Sequence, residues 1–221
     1  MGRSTNIPKS VPVWRNFQSV DCVVRHKGNK KRMSFTIVGI GASAGGLESF
    51  SELIARIPAG TGMAYVFVQH LDPRHGSLLV EILSKRAGFP VEEAREGVKI
   101  LSDRLYVIAP NTTLTIGGDV LHLRSRDPAE KPHRPVDVLF HSLAQQRGPN
   151  AIGIILSGSG SDGAKGIQAI KQAGGITFAQ DESSALFFGM PSCAIKIGCV
   201  DFILAPKEIA QELIRISRHH T

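Results

Sequence analysis

Residues 36–46, Thr-Ile-Val-Gly-Ile-Gly-Ala-Ser-Ala-Gly-Gly, constrain the fold more than any other stretch of this chain. A short β-branched apolar run gives way to small residues. Leu47, Phe50, Leu53, Ile54 and Ile57 follow at once, at the spacing of a helix with one buried face. Strand, tight glycine turn and helix together lift a serine hydroxyl above the end of a sheet. Gly41-Ala-Ser-Ala-Gly45 also fits the G-x-S-x-G nucleophile pattern, whose glycines permit a strained turn and close approach. Rival readings share the segment. Gly39, Gly41 and Gly45 can be taken as a dinucleotide-binding turn, which expects an acid about twenty residues on. Residues 60–68 hold none, although Asp72 lies a little beyond. A Walker-type loop needs Gly-Lys-Ser/Thr, and no lysine occurs between Arg32 and Lys85. Ser43 could also simply cap the helix. From this segment alone, nucleophile, nucleotide loop and cap stand level.

The rest of the chain narrows the architecture. After a strand at 35–41 and a helix at 46–57, the pattern predicts a strand at 64–70, a helix near 76–87 and strands near 90–94 and 105–109. Segments 112–116 and 119–123 flank Gly117-Gly118 and read as a hairpin. A loop at 124–135 leads to a helix with Val136, Leu139, Phe140 and Leu143 on one face. Then come the most apolar strand (151–156), a glycine-rich turn, a helix at 162–173, a strand at 175–180, a helix at 190–197, a strand at 200–204 and an amphipathic end helix. This alternation predicts an α/β fold: a three-layer, doubly wound, mostly parallel sheet with helices on both faces. The hairpin interrupts the alternation and is expected at one sheet edge or over the site.

Charge separates the chain into two parts. Residues 1–33 hold eight Lys or Arg and one acid, Asp21, whereas the remainder holds 18 of each sign. The net charge of +7 therefore sits wholly in the first 33 residues. These read as a basic, disordered arm, and 34–221 as the folded domain, which is no electrostatic binder of nucleic acid. Met33 is a candidate alternative translation start. No run is long enough to cross a membrane and the start lacks a signal peptide's apolar stretch, so the expected location is the cytoplasm. Cys22, Cys193 and Cys199 are odd in number and lack C-x-x-C spacing, which predicts reduced thiols and neither zinc nor a disulfide frame. No metal or cofactor is expected.

In a doubly wound sheet, ligands bind beyond the carboxyl ends of the strands. Ser43 follows the first strand, His70 ends the second, and Asp162 lies in Leu156-Ser-Gly-Ser-Gly-Ser-Asp-Gly163 after the strongest later strand. Serine, histidine and aspartate at three such ends are the ingredients of an activated nucleophile, with the histidine as base and the carboxylate orienting it. Alone, His70 could be a polar strand end, and Asp162 stands where a helix N-cap would. His75, His122, His133, His141, His219 and His220 compete as bases. The chain order Ser, His, Asp differs from the Ser, Asp, His order of α/β-hydrolases, which implies a different hydrolase fold.

The chain resembles the catalytic domain of the chemotaxis protein-glutamate methylesterases, the CheB family. The matching stretches, in the family's order, are Ile40-Gly-Ala-Ser-Ala-Gly-Gly46, Val68-Gln-His-Leu71, His133-Arg-Pro-Val-Asp-Val-Leu-Phe-His141, Ile155-Leu-Ser-Gly-Ser-Gly-Ser-Asp-Gly163, Ala173-Gly-Gly175, Ala179-Gln-Asp181 and Phe188-Gly-Met-Pro191. The details look closest to modules fused with a receptor methyltransferase. The resemblance implies hydrolysis of glutamyl methyl esters on chemoreceptor cytoplasmic domains with release of methanol, and deamidation of receptor glutamines. It carries the nucleophile onto Ser43, the base onto His70 and the orienting acid onto Asp162. It makes the Ala44 N–H an oxyanion-hole candidate, joined by that of Ser159, where many members have methionine. It leaves Met190 equally placed to line the substrate cleft or only to pack. Implied partners are methylated chemoreceptors or a related signalling protein and a receptor methyltransferase. Family members commonly carry an N-terminal receiver domain, for which residues 1–33 are too short, so the expected control is constitutive or in trans. A catalytically idle scaffold binding receptor helices is the alternative. A nicotinamide-dependent reductase is another, though neither Tyr65 nor Tyr106 belongs to a Tyr-x-x-x-Lys pair.

Overall fold

The computed structural model describes residues 35–70, 78–127, 129 and 132–219. The basic arm with Met33 and Cys22, and also His75 and His220, lie outside the described residues. Seven parallel strands form one sheet in the order β3-β4-β2-β1-β7-β8-β9. They are β1 (Ile37–Ala42), β2 (Ala64–Gln69), β3 (Val91–Glu93), β4 (Arg104–Val107), β7 (Ala151–Ile155), β8 (Ile176–Gln180) and β9 (Phe202–Leu204). The helices are α1 (Gly46–Ile54), α2 (Leu79–Ser84), α3 (Pro135–Arg147), α4 (Ala164–Gln172), α5 (Gly189–Lys196) and α6 (Pro206–Ser217).

Alternation along the strands sorts the core onto two faces. Val38 and Ile40 of β1, with Tyr65 and Phe67 of β2, pack with Phe50 and Leu53 of α1 and Leu213 of α6. The opposite face, with Ile37, Val66 and Val68, packs with Val136, Phe140 and Leu143 of α3 and Ile167 of α4. On that face β1 presents Gly39 and Gly41. A Cβ at Gly39 would lie 2.4 Å from Leu143 Cδ1, and one at Gly41 would lie 2.2 Å from Val136 Cγ1. Both glycines are therefore spent on letting α3 lie directly on β1. They are strand residues, which removes them from the dinucleotide-turn reading.

Of the two places expected for the hairpin, the edge of the main sheet is not where it lies. β5 (Thr112–Gly117) and β6 (Val120–Ser125) form a separate two-stranded antiparallel sheet that pairs with no strand of the main one. It is pinned to α3: the Ile116 N–H donates to Ser142 Oγ at 3.0 Å and Arg147 Nη2 to Asp119 Oδ1 at 2.7 Å. Helix α1 stops at Ile54, short of the expected 57, because Ile57 precedes Pro58 and a pre-proline residue is steered away from helical geometry. No helix among the described residues is long and apolar enough to cross a membrane.

The chain visits β2, β3 and β4 on one side of β1 and then returns to β7 on the other. β1 therefore sits at the reversal of strand order, where a crevice opens beyond the strand ends.

Candidate active site

Ser43 follows β1 directly and is half-buried. Its backbone is gripped from both neighbouring strands: its N–H donates to the Ser157 carbonyl at 3.0 Å, and its carbonyl accepts from Gln69 Nε2 at 3.3 Å. The same carbonyl accepts the Gly46 N–H at 3.0 Å, closing the turn into α1. Gly45 has φ 70, and a Cβ there would meet Ser157 Oγ at 2.8 Å and Leu186 Cβ at 2.9 Å. Conformation and space both demand glycine at that position. The Ser43 hydroxyl itself makes no hydrogen bond to another described residue. The result is a rigid main chain carrying an uncommitted hydroxyl.

His70 continues the β1–β2 ladder one step beyond Gln69, its N–H donating to the Ala42 carbonyl at 3.2 Å. That register sets Ser43 and His70 side by side on adjacent strands, whose spacing is about 4.8 Å. His70 Nε2 lies 2.8 Å from Asp162 Oδ2. Donation by Nε2–H to the carboxylate leaves Nδ1 as the ring nitrogen able to take a proton.

Asp162 reaches this position from the loop after β7 and is only 6% exposed. Besides His70 it accepts the N–H groups of Val136 at 3.0 Å and Asp137 at 2.9 Å, the free donors of the first turn of α3. Three donors compensate a buried carboxylate that would otherwise be costly. The carboxylate does cap a helix, but it is α3 and not the helix that follows it in sequence. α4 begins behind Gly163, at φ 92, with no side-chain cap. Asp137 in turn accepts the Gly166 N–H at 2.8 Å, tying α3 to α4 and holding the loop between them.

Ser157 is a supporting residue that sequence reasoning missed. It is fully buried, and its Oγ donates to the Ala44 carbonyl at 2.8 Å while accepting the Phe187 N–H at 3.0 Å. Its own N–H donates to Gln180 Oε1 at 2.8 Å, another fully buried side chain. Next to it, a Cβ at Gly158 would lie 2.3 Å from Met190 Sδ and 2.9 Å from Ser43 Cβ. The one available signal was the Gly-Ser repeat of 157–161, which does not say which serine faces inward.

The N–H groups of Ala44 and Ser159, both on exposed residues, donate to no other described residue. Met190 does not offer a surface to substrate. It is fully buried, its N–H donates to the Gly158 carbonyl at 2.8 Å, and its sulfur packs beneath Gly158. It props up the loop, so of its two expected places it takes the packing one and not the cleft wall.

A cleft of about 310 Å³ opens beside His70, with Gln69, Pro110, Asn111, Arg126 and His133 in its wall. The foot of the hairpin thus reaches the site, while its strands stay on α3. Of the competing histidines, His122 is on the hairpin at 2.9 Å from Glu96, and that hydrogen bond holds the Glu96 carboxyl below its usual range. His141 is exposed on α3, and His219 lies beyond the end of α6. Cys193 and Cys199 are unpaired and half-buried. Among the described residues no group of three or more His, Cys, Asp or Glu could hold a metal ion.

Residues 38–213 match the family model of the CheB methylesterases. The chain is 38% identical over 182 residues to the protein-glutamate methylesterase/protein-glutamine glutaminase of Photorhabdus laumondii, covering 80% of this chain and 52% of that protein. To the protein of the same name from Escherichia coli K12 it is 38% identical over 183 residues, with the same two coverages. The chain thus spans about half the length of the curated relatives it matches. The crystal structure of the Thermotoga maritima CheB methylesterase catalytic domain superposes with a TM-score of 0.76 at 29% identity, covering 83% of this chain and 99% of that one.

Proposed function

This chain belongs to the CheB methylesterase family, and from that membership we propose that it is a serine hydrolase removing methyl groups from glutamyl methyl esters of chemoreceptor cytoplasmic domains. The observation that carries the reading is the His70–Asp162 pair at 2.8 Å, set on the strand next to a serine with a clamped backbone and an uncommitted hydroxyl. Ser43 Oγ attacks the ester carbonyl as His70 Nδ1 takes its proton. Asp162 holds the ring and stabilises the imidazolium. The oxyanion lies against the Ala44 and Ser159 N–H groups. Collapse of the tetrahedral species breaks the bond to the methoxy oxygen, which leaves as methanol with the proton from His70. Water, deprotonated by His70, then cleaves the glutamyl-serine ester and frees the glutamate carboxylate and Ser43.

A glutamine side chain could enter the same sequence with ammonia as leaving group, in keeping with the glutaminase half of the relatives' name. A protein substrate suits the rim: Leu186 is 72% exposed and Phe187 44%, on the loop that packs against Gly45. Such a reaction takes place in the cytoplasm, with a receptor methyltransferase supplying the esters.

The test measures methanol release from methylated receptor cytoplasmic domains together with labelling by a serine-reactive fluorophosphonate. The native chain should release methanol and take the label at Ser43, and Ser43→Ala should do neither. Full methanol release by Ser43→Ala would sink the mechanism. Binding of the receptor domain by the native chain, with neither label nor methanol, would establish the scaffold reading instead.

A further inference from the structure

We propose that the cleft beside His70 is a carboxylate subsite, which seats an acidic side chain of the substrate close to the scissile glutamyl ester. This rests on the hydrolase reading above and specifies its substrate class: methyl-glutamyl residues within acidic segments. A glutamyl methyl ester is neutral, so the reacting group has no use for a cation. A cation nonetheless lines the cleft. Arg126 follows β6, and its N–H donates to the Asn111 carbonyl at 2.8 Å, which roots it at the cleft wall. Arg104, Arg134 and Arg147 each pair with a carboxylate. Arg126 forms no ion pair with a described residue, although Asp127 is its chain neighbour; Asp127 Oδ1 accepts the Ala129 N–H at 2.8 Å instead.

Among the described residues, the wall of the cleft contains no Asp or Glu. Asp162, behind His70, already accepts three hydrogen bonds. The wall includes Asn111 in a left-handed conformation at φ 56, which asparagine tolerates in tight bends. Thr112 Oγ1 donates to the Ala109 carbonyl at 2.7 Å and closes this bend. The bend holds the Asn111 carbonyl in place and, through it, the main chain of Arg126. A guanidinium fork with no ion-pair partner and no acid beside it in the wall among the described residues matches a carboxylate in shape and charge. Gln69, in the same wall, grips the Ser43 carbonyl, so the cleft adjoins the reacting serine.

The experiment compares two short peptides with one glutamyl methyl ester, flanked by Glu in one and by Gln in the other, on the full chain and on its Arg126→Gln and Arg126→Lys variants. The full chain should favour the acidic peptide by about tenfold in kcat/KM at low salt, the worth of one charged hydrogen bond near the surface. The preference should reside in KM, shrink as salt is added, vanish in Arg126→Gln and return in part in Arg126→Lys. Equal turnover of both peptides by a chain that takes the fluorophosphonate label overturns the subsite and leaves the hydrolase reading standing. A preference that survives Arg126→Gln overturns it too. Absence of both label and turnover defeats the hydrolase reading, and this inference with it.

Discussion

Ser43 and Ser157 follow adjacent parallel strands and touch through the Ser43 N–H and the Ser157 carbonyl, yet their hydroxyls are treated in opposite ways. Ser157 Oγ donates to the Ala44 carbonyl and accepts the Phe187 N–H, and the residue is sealed from water. Ser43 Oγ, one strand away, engages no other described residue. The difference comes from what lies above each strand end. The loop carrying Leu186 and Phe187 folds down on Ser157, while the turn at Gly45 carries Ser43 up beside His70. One serine is structural because it is satisfied, and the other is available for chemistry because it is not. The satisfied serine also holds the turn of the unsatisfied one, since its hydrogen bond to Ala44 lies inside the elbow.

Substitutions around these two turns can break or sharpen that comparison. Apart from loss of the nucleophile itself, the largest effect on activity is expected at Asp162, which orients the base beside Ser43. Asp162→Asn should lower kcat by about a thousandfold or more, as in other triads, and a loss below tenfold in single-turnover methanol release would detach it from the mechanism. Gly158→Ala comes next, where the two turns meet. Its Cβ would fall 2.3 Å from Met190 Sδ and 2.9 Å from Ser43 Cβ, so the overpacking should destabilise by about 1–3 kcal/mol and displace Ser43. Urea denaturation and fluorophosphonate labelling rates read the two parts separately.

Ser157→Ala strands the Ala44 carbonyl and the Phe187 N–H and should cost about 1–3 kcal/mol of stability, measured by the same denaturation, with slower labelling of Ser43. Ser43→Ala should change stability by less than about 0.5 kcal/mol, since it deletes no internal hydrogen bond. If Ser43→Ala proved as destabilising as Ser157→Ala, the contrast between the two hydroxyls would be wrong.

Much of the architecture is legible in local pattern. The runs at 37–42, 64–69 and 151–155 announce buried parallel strands, and the spacing of Leu47, Phe50, Leu53 and Ile54 announces α1. Element ends are less legible where one residue acts at a distance of a step or two. Pro58 ends α1 earlier than the apolar spacing implies, and Gly163 delays α4 to Ala164. Gly39 and Gly41 mislead for a different reason. In the sequence they resemble a phosphate-binding turn, and only the approach of α3 shows them to be clearance for Leu143 and Val136. Met190 sits in a motif that leaves cleft lining and packing level, and only the tertiary structure shows the loop of Gly158 covering it completely.

What the sequence by itself determined is the alternating α/β plan, the serine on a glycine turn, and the histidine and aspartate at later strand ends. These depend on periodicity and turn chemistry within a few residues, which the linear chain records directly. Tertiary structure alone decided that Asp162 caps α3 rather than α4, that Ser157 is the buried serine of its loop, and that the hairpin rests on α3 with its foot at the cleft. Each of those outcomes hangs on hydrogen bonds across long stretches of chain: 92 residues from His70 to Asp162, 26 from Val136 to Asp162 and 113 from Ala44 to Ser157. Such pairings form only where packing brings two saturable polar groups together and excludes water. No local pattern encodes that coincidence.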